Sequence, residues 1–384
     1  MSDRPPVVLQ VLPDLDGGGG VERGTLDIVR ALVRAGWGAV VASNGVHQAK
    51  RVEALGGKHV RLPVHSKNPL VMAANVRRLA RLIEEAGVDI VHARSRALAW
   101  SAYFAARRTG RAFVTTVHGT YGDGSALKRA YNKSLTRGVR VIAISEFIAH
   151  QVVRSYGTDP ARIDVIPRGI DLALFDPNAV TVERIVRLAR RWRLEDGAPV
   201  VMLPGRLTSW KGHTVLIEAI SSVARRDAIC VIVGGEDGTE DYQASLIAKA
   251  RQDGVENRVH LVGRCDDMAA AYMLADVVVS ASTRPEAFGR VAVEAQAMGI
   301  PVVATSIGAT SETVVPGVTG WLVPPADPIA LAGAIDVALA LTPDQRRAQA
   351  EAARQHVATN FALELMCERT LAVYRHVLAG AREA

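Results

Sequence analysis

Cysteine is scarce. Cys230, Cys265 and Cys367 lie far apart in the 384 residues, and no C-x-x-C pair exists. A disulfide framework and a cysteine-built metal centre are thereby excluded, and reduced thiols in a cytoplasmic chain are expected. Long apolar runs are missing too: none reaches the roughly 18 residues that span a bilayer. The opening MSDRPPVVLQVLPD is broken early by acid and proline, so no signal-peptide core is expected. The first strand-like run is not followed by G-x-G-x-x-G, which argues against a dinucleotide-dependent oxidoreductase, and no P-loop lysine follows it. Recognition-helix, zinc-finger and RNP-type aromatic motifs are also lacking, so nucleic acid is not an expected partner.

What is present is a globular composition, 49% hydrophobic and 22% charged, in a chain long enough for two domains. The net charge of +7 is uneven. Residues 1–178 carry 25 Lys+Arg against 15 Asp+Glu, whereas residues 179–384 carry 21 against 24. A basic half attracts an anionic membrane or an acidic substrate. The excess concentrates in two helical patterns, residues 76–82 and 126–135, where cations alternate with apolar residues. Each cation near an anionic lipid surface is worth about 1 kcal/mol, so peripheral docking on the inner face of the plasma membrane, or an anionic glycolipid acceptor, is expected.

Short β-branched runs alternate with longer amphipathic segments. Strands are expected at 7–12, 39–42, 89–92, 113–117, 140–144 and 164–166. Helices such as 22–35 and 74–86 each close on a glycine, Gly36 and Gly87. After an arginine-rich seam between Leu172 and about Glu195 the alternation restarts, with strands at 200–203, 230–233, 260–262, 277–280, 302–304 and 321–323. This predicts two doubly wound α/β domains, residues 1–178 and 190–362, with a final helix at 363–379 that returns to the first.

Several segments carry chemistry. The first strand runs into Pro13-Asp14-Leu15-Asp16 and the glycines 17–20, a strand-to-helix turn that lets backbone approach a ligand. Asp14 and Asp16 resemble a D-x-D metal motif, but no second carboxylate cluster completes a shell, so no metal is expected there. His118 stands at the tip of a strand, where open α/β sheets bind ligands. It is read as a hydrogen-bond donor or polariser, against the plainer alternative of a loop histidine bonded to backbone. After the strand 200–203, Gly205-Arg206 and Lys211-Gly212 place two cations where they suit a diphosphate. In Pro285-Glu286-Ala287-Phe288-Gly289-Arg290, backbone amides near Phe288, Gly289 and Arg290 open a helix and form an anion site, with Glu294 one turn further on. Carboxylates accept hydrogen bonds from vicinal hydroxyls, so one of Glu286 and Glu294 can hold a ribose and the other a hexose, with a diphosphate between them.

These segments occur in a telling order. Gly-Gly-Val-Glu at 19–22, Val-His-Gly at 117–119, Val-Ile-Pro-Arg-Gly-Ile-Asp at 165–171, Gly-Arg-Leu with Lys-Gly at 205–212, and the Glu286/Glu294 pair resemble the family-four retaining glycosyltransferases of the GT-B fold. The resemblance spans nearly the whole chain. It implies two Rossmann-like domains facing across a cleft, and transfer of a sugar from a UDP- or GDP-linked donor without metal or other cofactor. It further implies that Arg206 and Lys211 hold the diphosphate, Glu294 the ribose, and Glu286 and His118 the transferred sugar. The Gly19-Gly20 turn would approach phosphate or acceptor, and backbone near Arg264 would read the base. One position departs from the family: Arg168 stands where asparagine is usual. The expected acceptor is a cell-envelope glycolipid or lipopolysaccharide-type glycan. A soluble acceptor, or a sugar-nucleotide epimerase of the same fold, are the alternatives.

Overall fold

The computed structural model describes residues 4–16, 19–45, 47–122, 124–235 and 239–383. Gly17 and Gly18 of the glycine run lie outside these residues. The chain divides into two compact units: residues up to Gly169 together with those from Leu363 onward, and Ile170–Ala362.

In the first unit, seven parallel strands form one sheet: β1 (Val7–Val11), β2 (Gly38–Ser43), β3 (Lys58–Arg61), β4 (Ile90–Ala93), β5 (Ala112–Val117), β6 (Arg140–Ala143) and β7 (Ile163–Val165). Their spatial order is β3-β2-β1-β4-β5-β6-β7. Chain direction through the sheet reverses between β1 and β4, and open α/β sheets bind ligands at the carboxyl ends of such a switch point. The central strands read as continuous apolar runs because helices cover both faces. The helix Pro69–Glu85 starts where its sequence directs, with Asn68 accepting from Leu70 N at 2.9 Å and proline at the first turn. The final helix, Leu363–Glu383, packs on this sheet, and its Tyr374 is fully buried and bonded to His92.

The second unit repeats the plan with six parallel strands: β8 (Val200–Pro204), β9 (Ile229–Val233), β10 (Val259–Gly263), β11 (Val277–Ser280), β12 (Val302–Thr305) and β13 (Trp321–Val323). Their order, β10-β9-β8-β11-β12-β13, puts the switch point between β8 and β11. Val201, Met202 and Leu203 are all buried, so both faces of β8 are covered.

Two details differ from the sequence reading. β3 was not expected: Lys-His-Val-Arg is a half-exposed edge strand with little apolar signal. The chain also changes unit at Gly169/Ile170, so residues 170–178, expected in the first domain, pack with the second. Ile170 N donates to Phe361 O at 2.8 Å, and the Phe175 ring lies edge-on to Tyr272. Among the described residues, no helix is long and apolar enough to cross a membrane.

Candidate active site

In the second unit, the loops leaving β8 and β11 assemble the polar cluster. After Gly205 and Arg206, a short turn at Ser209–Lys211 leads through Gly212 into the helix His213–Ser222. Gly212 has φ +74°, and a Cβ there would lie 1.9 Å from Ala281 O. Only glycine allows this approach, which lays Lys211 beside the loop after β11. Thr283 N donates to Trp210 O at 2.8 Å and ties the two loops together. Lys211 Nζ then sits 2.6 Å from Glu286 Oε1 and 4.5 Å from the Trp210 ring centroid. Ser282 Oγ donates to the same Oε1 at 2.5 Å. The backbone of Glu286 is held by Gly308, whose added Cβ would meet Glu286 O at 2.4 Å, and by Ala309 N, which donates to that oxygen at 2.8 Å.

Glu294 lies in the helix Arg290–Ala297, whose cap Gly289 is left-handed (φ +84°) and offers no capping side chain. The first amides of such a helix have no partner within it and face outward for an anion. Glu294 Oε1 accepts from Arg290 Nε at 2.6 Å, and Oε2 accepts from the buried Tyr272 hydroxyl at 2.9 Å. Each carboxylate oxygen keeps a second lone pair for a ligand hydroxyl. The Phe288 ring is buried edge-on against Phe361. Arg206 is exposed and has no recorded side-chain partner among the described residues. Arg264 is exposed beside Asp266 (3.2 Å), and its amide lies near Gly235. The ends of β8, β9 and β10 meet closely, since Gly234 N donates to Gly263 O and a Cβ on Gly234 would strike Gly205 O.

His118, Gly19 and Gly20 lie in the first unit. Gly20 opens the helix Gly20–Arg34 after Gly19 as cap. A Cβ on Gly20 would lie 3.0 Å from Arg168 Nη1, and one on Gly24 3.1 Å from Arg94 Nη2, so these glycines admit two guanidiniums against the first turns. Arg168 donates to Gly20 O and, through Nη2, to His118 Nδ1 at 3.0 Å. His118 Nε2 is buried without a partner among the described residues. Burial, then the charges of Arg168 and Arg94 and the nearby His92, hold this imidazole well below its ordinary range, hence neutral near pH 7. His92 is committed elsewhere: Nδ1 to Tyr374 Oη at 2.6 Å and Nε2 to Thr116 Oγ1 at 2.7 Å.

Asp14 and Asp16 are loop acceptors. Asp14 takes the Asp16 amide at 2.8 Å, and Asp16 takes the His47 amide at 2.7 Å. Among the described residues, no group of three or more His, Cys, Asp and Glu side chains is placed to hold a metal ion. Sequence reasoning missed Tyr272, Ser282 and Trp210, whose partners lie far along the chain. It singled out Arg168 without foreseeing its bond to His118.

Residues 186–356 match the family Glycosyl transferases group 1, and residues 18–174 match Glycosyltransferase Family 4. A D-inositol 3-phosphate glycosyltransferase of Xylanimonas cellulosilytica is 32% identical over 313 residues, 76% of this chain and 72% of that protein. The crystal structure of a glycosyltransferase from Rickettsia africae superposes with a TM-score of 0.90 at 35% identity, covering 97% of this chain and 99% of that one. The Anabaena protein HepE, crystallised with UDP and glucose, shares the fold at a TM-score of 0.82 and 23% identity, covering 96% and 99%. The chain therefore belongs to the family-four glycosyltransferases, and its two parallel sheets are those of the GT-B fold.

Proposed function

We propose that the chain is a metal-independent, retaining hexosyltransferase that moves a sugar from a UDP- or GDP-linked donor to a cell-envelope glycolipid or lipopolysaccharide-type glycan. The observation that carries this reading is the meeting of Lys211, Ser282 and Glu286 at the β8/β11 switch point, with Glu294 on the helix that follows and Arg206 exposed in the loop after β8. Arg206 and Lys211 bind the diphosphate, and the helix end at Phe288, Gly289 and Arg290 adds backbone donors. Glu294 holds the ribose, Glu286 the sugar hydroxyls, and the turn at Arg264 the base edge. His118 and the Gly19-Gly20 turn belong to the same reaction from the first unit.

In the step itself, the bond from the anomeric carbon to phosphate breaks as the acceptor oxygen bonds to that carbon on the same face. The acceptor proton passes to the leaving phosphate oxygen, and nucleoside diphosphate departs. The charge that grows on the leaving group is met by Arg206, Lys211 and the helix end, the kind of preorganised stabilisation that supplies the largest share of many rate enhancements. Glu286 is not assigned a nucleophile's role, because Lys211 and Ser282 both occupy its Oε1 and hold it as an acceptor.

The acceptor side rests on charge. The helix Ala126–Asn132 exposes Leu127 (85%) together with Lys128 and Arg129, an apolar tip flanked by cations. The other segment, residues 76–82, contributes cations only, since Leu79 and Leu82 are buried in the core. A soluble phosphorylated acceptor is the second reading, favoured by the similarity to a D-inositol 3-phosphate glycosyltransferase. The test incubates the protein and a chelator with UDP-glucose or GDP-mannose and either an anionic vesicle-borne glycolipid or inositol phosphate. NMR then reads the product's anomeric configuration. Transfer with retention supports the proposal. An inverted product, or activity restored only by added divalent metal, overturns it.

A further inference from the structure

We propose that Arg168 is a positioning residue for sugar transfer: by donating to His118 Nδ1 it fixes the neutral ring as the Nε2–H tautomer and presents that N–H as a hydrogen-bond donor to the transferred sugar. The inference rests on the glycosyl-transfer reading above.

A guanidinium has donors and no acceptor. At 3.0 Å from Arg168 Nη2, His118 Nδ1 must therefore accept, and the single proton of the neutral ring resides on Nε2. That nitrogen is buried and has no partner among the described residues. Buried donors are almost always paired, so this one calls for an acceptor beyond the described residues, and in this proposal the transferred sugar supplies it. Arg168 is itself anchored, because Nη1 donates to Gly20 O and the absence of a Cβ on Gly20 makes room for it. The glycine turn and the histidine are thus linked by one side chain, contributed by the loop that follows β7.

Two alternatives are weaker. His92 is not interchangeable with His118, since Tyr374 and Thr116 occupy both its nitrogens. A phosphate held between Arg168 and Arg94 would need more room than exists: the cavity that both line beside His118 measures about 20 Å³. That is space for about one water-sized group. Arg94 instead donates to Gln10 Oε1 at 2.9 Å and adds its charge to the ring's surroundings. Both guanidiniums act on the histidine, and neither charge favours an imidazolium.

Long-range proton–nitrogen NMR on the full chain labelled at histidine nitrogens tests this, with His118 assigned through His118→Gln. The wild type is expected to show a protonated Nε2 and an unprotonated Nδ1 at His118. Arg168→Ala is expected to mix the tautomers and lower kcat about tenfold, with donor KM within about twofold. Arg168→Lys, which still donates, is expected to restore a single tautomer and most of kcat. An Nδ1–H ring in the wild type, or full kcat in Arg168→Ala, overturns the inference. The broader reading fails separately, through absence of transfer by the wild type, and the tautomer measured without substrate is independent of that result.

Discussion

Lys211 Nζ and Glu286 Oε1 lie 2.6 Å apart, though 75 residues separate them in sequence. A lysine already held by a carboxylate is preoriented, and under the proposed function it gives part of that contact to the donor phosphate. Removing one donor from such a site typically costs about 10²–10³ in kcat. Lys211→Ala is expected to lose turnover on that scale, with a smaller change in donor affinity, as steady-state and binding measurements on the same variant will show. Glu286→Gln keeps an acceptor for Ser282 but not the charge facing Lys211, and is expected to lose less than Lys211→Ala.

Tyr272 predicts a milder effect. Its hydroxyl, on a fully buried side chain, donates to Glu294 Oε2 at 2.9 Å. Tyr272→Phe is expected to weaken donor binding about three- to tenfold, less than the full worth of a hydrogen bond to a charged group because the lost contact is to Glu294 and not to the donor, and to leave kcat nearly unchanged. An equal fall in kcat and kcat/KM would show instead that the contact matters only in the transition state.

Gly308 is a backbone test. It has φ +71°, and a Cβ would stand 2.4 Å from Glu286 O. Gly308→Ala is expected to destabilise the second unit by about 1–3 kcal/mol and to cut activity by shifting Glu286. A control at Gly317, also at positive φ (+73°) but with open space around the added Cβ, is expected to carry the backbone strain without the displacement of Glu286. Denaturant midpoints and turnover of the two variants separate these effects.

Acid should unfold the protein through its neutral histidines. Burial, followed by Arg94, lowers His92; burial, followed by Arg168, Arg94 and His92, lowers His118; burial and Lys211 bring His213 down to about 4. Each folded value lies below the unfolded one, so the unfolded chain binds more protons once pH drops below about 6.5. Stability is therefore complete above that pH and is lost as pH falls through the window toward the folded values. The slope approaches about 1.4 kcal/mol per pH unit for each histidine still neutral in the folded state. Denaturant titrations from pH 7.5 to 5 will measure it, and Tyr374→Phe, which removes a partner from His92, should lower stability across the whole range.

The fold was legible because its strands are dense β-branched runs separated by amphipathic helices closing on glycine. β3 escaped notice since Lys58-His59-Val60-Arg61 sits at the sheet edge and buries little. The unit boundary was misplaced because Asp176-Pro177-Asn178 looks like a linker, whereas the buried Ile170 and Phe175 already belong to the second core. At the site, Arg206, Lys211, Glu286 and Glu294 stood out as charges at strand and helix ends. Their partners did not: Gly212 against Ala281 and Gly308 against Glu286 set the pairing by close approach in space, which periodicity does not encode. Arg168 was visible as a departure from the family, but its bond to His118 across 50 residues depends on tertiary placement that the local pattern does not encode.

The central claim is that the β8/β11 switch point binds a nucleoside diphosphate through Lys211 and Glu294 without a metal. Calorimetric titration of the full chain with UDP and with GDP, each in the presence of a chelator, tests it most directly. The account predicts saturable binding of one of the two, weakened about tenfold or more in Glu294→Ala, which removes the ribose contacts. Binding of neither nucleotide until divalent metal is added, or equal affinity in the wild type and Glu294→Ala, would contradict it.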